Sequence, residues 1–217
     1  MRRIIFLFYC LLFSLPIYGK LYKEEDIKQL YHEIGLERRI SYKAFNQGFR
    51  GMANIKNRSS NLLTIIDFTK PSSQKRFFVL DIKNKKLILS TYVTHGKGSG
   101  GLYATSFSNI EGTHQSSNGF FLTGSSYIGK NGFSLKLYGL EPGRNSNAYN
   151  RTLVIHSSKY VTESYIKQNG RAGRSFGCYA VPENVNRRLI TLLKNRHVLY
   201  VHSSGLSYKS YKTLRKS

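Results

Sequence analysis

Apolar residues change their period about a quarter of the way along the chain. Over residues 24–36, Ile27, Leu30, Tyr31 and Ile34 recur at helical spacing, with Glu24, Glu25 and Asp26 placed early, where a helix dipole favours negative charge. Residues 41–55 repeat the pattern with Ala44, Phe45, Phe49 and Met52. Two short helices are therefore expected first. From Leu62 the texture becomes that of strands, starting with Leu62-Leu63-Thr64-Ile65-Ile66-Asp67-Phe68. Residues 76–82 and 86–93 follow as a hairpin closed by Lys83-Asn84-Lys85. Further strands are expected at 120–125, 133–138, 152–155 and 198–202, and in this half only residues 182–194, with Pro182 near the start, read as a helix. The pattern predicts a mainly β domain with a few helices.

Two features lie outside this alternation. Residues 96–118 form a long loop carrying Gly96, Gly98, Gly100, Gly101 and Gly112 among serines, and loops of that length in a compact domain are usually functional. Its Lys97-Gly98-Ser99-Gly100-Gly101 run lacks the spacing and the Lys-Ser/Thr pair of a phosphate loop. Residues 208–217 are basic and polar and read as a frayed tail.

The first nineteen residues change the expected compartment. Arg2 and Arg3, an apolar run over 4–15, Pro16 and a small residue at Gly19 have the form of an export signal cleaved after Gly19. The run is too short for a membrane span, which needs ~20 apolar residues. The organisation expected is thus a signal peptide over 1–19, a helical lead-in over 20–57, a catalytic-type domain over 58–207 and a basic tail over 208–217. Export also changes the meaning of the cysteines. There are two, Cys10 and Cys178, and loss of the leader leaves Cys178 alone, without a disulfide partner in an oxidising compartment.

A net charge of +23 favours polyanions. Nucleic acid is not expected of an exported chain without a recognition motif. Anionic envelope polymers and the carboxylates of peptidoglycan stem peptides are.

The chemistry concentrates in Gly170-Arg171-Ala172-Gly173-Arg174-Ser175-Phe176-Gly177-Cys178. Glycine at 177 lets the backbone approach a bound carbonyl, and the N–H groups of Gly177 and Cys178 are candidate oxyanion donors. Arg171 and Arg174 are expected to hold Cys178 as thiolate. Of six histidines, His156 stands at the end of the apolar run Thr152-Leu153-Val154-Ile155, a rigid place for a general base. His95, His114 and His156 lack the short spacing of zinc ligands, so no metal or other cofactor is expected.

His156 followed by Ser175-Phe176-Gly177-Cys178 resembles the signature of the L,D-transpeptidases of YkuD type. The resemblance extends through Leu63-Thr64-Ile65-Ile66-Asp67-Phe68, Val93-Thr94-His95-Gly96-Lys97, Ser116-Ser117, Gly139-Leu140-Glu141 and Asn145-Ser146-Asn147-Ala148, within the murein L,D-transpeptidase catalytic domain branch. It implies a β-sandwich or barrel in which a cysteine attacks the third stem-peptide residue, terminal D-alanine leaves, and an amine or water resolves the thioester. On this chain it makes Cys178 the nucleophile, His156 the base, Gly177 and Cys178 the oxyanion site and Ser175 a positioning residue. It puts Arg171, Arg174 and His95 on the substrate side. The chain departs from the family pattern at Phe176, at Ala180, where an arginine is common, and at Ser157-Ser158 after the histidine.

Two other readings compete. Sortases share the order of histidine then cysteine but expect a Thr-Leu-x-Thr-Cys strand. A non-catalytic cationic wall-binding module would explain the charge without using Cys178.

Overall fold

The computed structural model describes residues 22–208 together with 211 and 214. The proposed leader lies outside the described residues, and among these no helix is long and apolar enough to cross a membrane.

Helices α1 (Glu24–Glu33) and α2 (Tyr42–Asn54) form where the three-four spacing predicted them. Ser41 caps α2, its side chain accepting the Ala44 N–H, while its own hydroxyl and N–H donate to the buried Asp67 carboxylate. Gly48 and Gly51 bring α2 close to the sheet. A β-carbon at Gly51 would fall inside the Phe120 ring, and one at Gly48 would press on Tyr200.

Eight strands follow: β1 (Leu62–Asp67), β2 (Phe77–Asp81), β3 (Lys86–Thr91), β4 (Gly119–Gly129), β5 (Gly132–Gly139), β6 (Val154–Ser157), β7 (Tyr179–Val181) and β8 (Val198–His202). They form one mixed sheet in the order β3-β2-β1-β8-β4-β5-β6-β7. The two edges approach each other beyond β3. The Thr94 N–H donates to the Ala180 carbonyl at 2.9 Å, the Ala180 N–H donates to Thr94 Oγ1 at 3.0 Å, and Gly96 bridges Ser175. The sheet therefore curls towards a barrel, which hides its edges.

Curling divides the core. One cluster packs α1 and α2 on the outside through Phe45, Phe49, Leu63, Phe78, Phe120 and Tyr200. The other fills the interior with Phe68, Phe77, Phe121, Leu135, Ile155 and Tyr179, closed by helix α4 (Glu183–Leu193) through Leu189, Ile190 and Leu193. This is the mainly β fold expected from the sequence.

Two expectations need correction. A fourth helix, α3 (Glu163–Asn169), lies in the half where only one was predicted. Thr162 caps its start and Gly170, at φ +70°, ends it in left-handed backbone. The tail is also not simply frayed. Tyr208 and Tyr211 pack against the first cluster and Leu214 is fully buried, because these apolar side chains find the surface beside Phe120 and Tyr200.

Candidate active site

β6 and β7 run parallel, with Ile155 opposite Tyr179 and His156 opposite Ala180. Ile155 and Tyr179 point into the interior core, so alternation turns Val154, His156 and Ala180 to the other face. Cys178 stands two residues before Ala180, at the head of β7. It lies diagonal to His156 across one strand spacing, roughly 8 Å between Cα atoms for ideal strands.

The segment carrying Cys178 is clamped from several sides. Ser175 N–H donates to the His95 carbonyl at 3.0 Å, and Lys97 N–H to the Ser175 carbonyl at 2.8 Å. Ser175 Oγ donates to the Cys178 carbonyl at 2.6 Å and accepts the Gly177 N–H at 3.1 Å. Buried Ser116 donates to the Gly177 carbonyl at 2.8 Å and accepts the Gly96 N–H at 3.0 Å. Gly177 adopts φ +125°, a conformation open mainly to glycine, and a β-carbon there would stand 2.8 Å from Leu153. Gly96 packs directly on it, since a β-carbon at Gly96 would lie 3.0 Å from the Gly177 backbone.

The network treats the two candidate oxyanion donors differently. The Gly177 N–H is already engaged by Ser175, whereas among the described residues the Cys178 N–H has no backbone acceptor. Of the two, only the Cys178 N–H is left without a backbone or side-chain oxygen acceptor among the described residues.

The thiol points towards the carbonyl of Thr152, at 3.5 Å, rather than to His156. His156 is buried, and its Nδ1–H donates to the Ser157 carbonyl at 2.8 Å. That bond fixes the tautomer and leaves Nε2 as the basic nitrogen. Burial raises the Cys178 thiol above its ordinary value, opposed by the Val154 N–H and then by the charge of Arg151. Burial also lowers His156, opposed by its bond to Ser157. Both shifts favour the uncharged forms, a thiol and a neutral imidazole.

The expected thiolate is corrected on this point, and so is the cation. Arg174 donates to the Gly100 carbonyl at 3.2 Å and Arg171 to the Ala172 carbonyl at 3.1 Å. The arginine whose field lowers the thiol is Arg151. Nothing local in the sequence marks it beyond its place five residues before His156. Arg151 also fastens the glycine-rich loop, donating to the Gln115 carbonyl at 2.7 Å, to Ser117 Oγ at 2.7 Å and to the Ser108 carbonyl.

His95, expected on the substrate side, does not reach the surface. It is fully buried, its Nδ1 accepts from Arg76 at 2.8 Å and its Nε2 lies 3.3 Å from the Gly100 carbonyl. Desolvation, followed by the Arg76 charge, lowers it to about 4. It is a neutral strut beneath the loop. Arg76, also fully buried, spends its other donors on the carbonyls of Val93 and Lys70 and stacks on Phe68, 4.7 Å from its centroid. Phe176 is 68% exposed but held by the loop, with Lys97 Nζ 4.5 Å over its ring and the His114 ring 4.7 Å away.

A groove of about 550 Å³ lined by Phe107, Ser108, Asn118, Arg144 and Ser203 does not include Cys178 or His156. Among the described residues no three metal-ligating side chains converge.

The family model for L,D-transpeptidase catalytic domains matches residues 36–202, well over half of the chain. Solved structures with detectable likeness include an L,D-transpeptidase from Mycobacterium smegmatis, 12% identical with a TM-score of 0.41, covering 66% of this chain and 59% of that one. The helical cell shape determining protein Pgp2 from Campylobacter jejuni is 13% identical with a TM-score of 0.44, covering 80% and 59%. An L,D-transpeptidase (Yku) from Stackebrandtia nassauensis is 14% identical with a TM-score of 0.39, covering 86% and 84%. This chain thus spans about three fifths of the length of the first two. No curated protein sequence matches it. Matched over 36–202, with the histidine and cysteine of the signature brought to one face of adjacent strands, the chain belongs to the L,D-transpeptidase catalytic domain family.

Proposed function

We propose that the protein is an exported cysteine acyl-transfer enzyme that acts on peptidoglycan stem peptides through a thioester on Cys178. The observation that carries this reading is the pairing of β6 with β7. It sets Cys178 diagonal to His156 on one face, with the His156 tautomer fixed and the Cys178 N–H free of a backbone acceptor.

The chemistry follows from a neutral pair. As Sγ forms its bond to the carbonyl carbon, the thiol proton passes to His156 Nε2. The carbonyl oxygen takes up the negative charge and meets the Cys178 N–H. Collapse breaks the bond to the terminal residue, whose amine receives the proton from His156. An acceptor amine, or water, then attacks the thioester while His156 takes its proton. Amine gives L,D-transpeptidation and water gives L,D-carboxypeptidation. Before this can begin, the thiol must swing from the Thr152 carbonyl towards His156, a side-chain rotation that a bound substrate can drive.

The net charge of +23 supports accumulation on the anionic polymers of the envelope, and the leader-like residues 1–19 support export to it. A carbapenem separates this reading from that of a cationic wall-binding module. The enzyme gains the mass of the drug on Cys178, and Cys178→Ala does not. A properly folded wild type that gains no mass overturns the catalytic reading.

A further inference from the structure

The face of the sheet that holds His156 continues across two more strands, and what it carries there is unusual for a solvated surface. Lys136 of β5 lies directly opposite Val154, and Tyr138 follows two residues later on the same face. In β4, Tyr127 stands opposite Ser134 and shares that face. Tyr149, from the turn that leads to Arg151 and Thr152, stacks on Tyr138 with centroids 5.0 Å apart and planes 10° from parallel.

Three tyrosines are thus exposed together: Tyr127 at 37%, Tyr138 at 43% and Tyr149 at 47%. Glycines of β4 make room for two of the rings. A β-carbon at Gly124 would stand 2.6 Å from the Tyr138 ring, and one at Gly129 would stand 2.6 Å from the Tyr127 ring. Each ring therefore lies down over a bare stretch of β4. Lys136 Nζ sits between two of the rings, 5.6 Å from Tyr127 and 5.7 Å from Tyr149. Among the described residues none of the three phenol hydroxyls forms a hydrogen bond.

We propose that Tyr127, Lys136, Tyr138 and Tyr149 form a saccharide platform, which holds the N-acetylhexosamine glycan to which the stem peptide is attached. Flat, exposed rings match the C–H face of a pyranose. The free phenol hydroxyls and the ammonium supply donors for its hydroxyl, acetamido and carboxylate oxygens. A hydrophobic protein partner would leave that ammonium and those hydroxyls without purpose.

Reach agrees. β5 and β4 lie two and three strand spacings from β7, which Cys178 leads into, about 10 and 15 Å. Three extended residues span at most ~10 Å, so a sugar seated over Lys136 and Tyr138 of β5 can deliver the third stem carbonyl to Cys178. The proposal rests on the acyl-transfer reading for its substrate, but its test does not.

The probe is a peptide-free β-1,4-linked N-acetylglucosamine tetramer titrated into isotope-labelled protein. Amide shifts are expected to cluster at residues 124–129, 136–138 and 149–150. They should be lost in Tyr149→Ala and kept in Tyr149→Phe, which preserves the ring. In turnover, the disaccharide-tetrapeptide should exceed the free tetrapeptide by about tenfold in kcat/KM, the scale of one or two stacking contacts, and Tyr149→Ala should bring the two within about twofold.

Shifts that are absent, or that fall elsewhere, overturn the platform. So does binding of this face to anionic phospholipid vesicles without any response to the tetramer. If the tetramer binds as described but neither donor acylates Cys178, the platform stands and the acyl-transfer reading fails. If both donors acylate equally and the tetramer does not bind, the platform alone fails.

Discussion

Ser175 holds Cys178 from behind, its Oγ donating to the Cys178 carbonyl at 2.6 Å while accepting the Gly177 N–H at 3.1 Å. One hydroxyl thereby fixes the turn on which Cys178 sits and the direction of the Cys178 N–H. Removing it in Ser175→Ala deletes both bonds at a stability cost of about 1–3 kcal/mol. Acylation of Cys178 by a carbapenem should slow by at least about tenfold, the equivalent of one such bond lost in the transition state. Ser175→Thr, which keeps the hydroxyl, should recover most of the rate in stopped-flow measurements.

Arg151 should be separable from the arginines of the cysteine loop. Its charge lowers the Cys178 thiol, so Arg151→Met raises it further. The pH dependence of iodoacetamide alkylation should move to higher pH in that variant and stay in place in Arg174→Met, whose guanidinium reaches Gly100. Arg151→Met should also loosen residues 108–117, measured as faster amide exchange, because the bonds to Gln115 and Ser117 are gone. An unchanged alkylation profile would remove Arg151 from the site.

In the proposed mechanism the acid limb of activity belongs to His156. Catalysis needs Nε2 unprotonated, and burial lowers this group below its ordinary 6.5. Activity should therefore persist below pH 6.5 and fall only as pH drops through the depressed value. A kcat/KM profile that already declines above 6.5 would contradict a buried neutral base.

His95 makes the fold itself acid-sensitive. Its folded value is about 4 against an ordinary 6.5, so in this window the unfolded chain binds the proton that the folded one refuses. Stability is full above 6.5 and declines as pH falls towards 4, by roughly 3 kcal/mol from this group. Urea unfolding at pH 7 and pH 4 measures it. His95→Gln should flatten that dependence, even if it lowers stability at pH 7 by weakening the bonds to Arg76 and Gly100.

Which parts of this were legible in the sequence follows from how far each signal travels along the chain. β1, β2, β3, β5 and β8 are runs of apolar and β-branched residues, and local pattern finds them. β7 is three residues, too short for any pattern, and exists because its backbone finds β6 and Thr94. α3 buries only Ile166, so its apolar stripe is a single residue; its legible signals were Thr162 before it and Gly170 after it. His156 and Cys178 were marked by their neighbours and by the family signature. Arg151 was not, since its partners at Ser108, Gln115 and Ser117 are distant in sequence. His95 was misplaced for the opposite reason: it neighbours the loop in sequence, but its ring points to Arg76 in the interior. The tail carried its own signal in Tyr208, Tyr211 and Leu214, spaced by three, which its lysines obscured.

A covalent acyl group on Cys178 would be seen by intact mass spectrometry of the protein mixed with a disaccharide-tetrapeptide. The wild type is expected to gain the mass of the disaccharide-tripeptide acyl group as free D-alanine appears, while Cys178→Ala gains nothing. Folded wild-type protein that gives neither adduct nor D-alanine would contradict it.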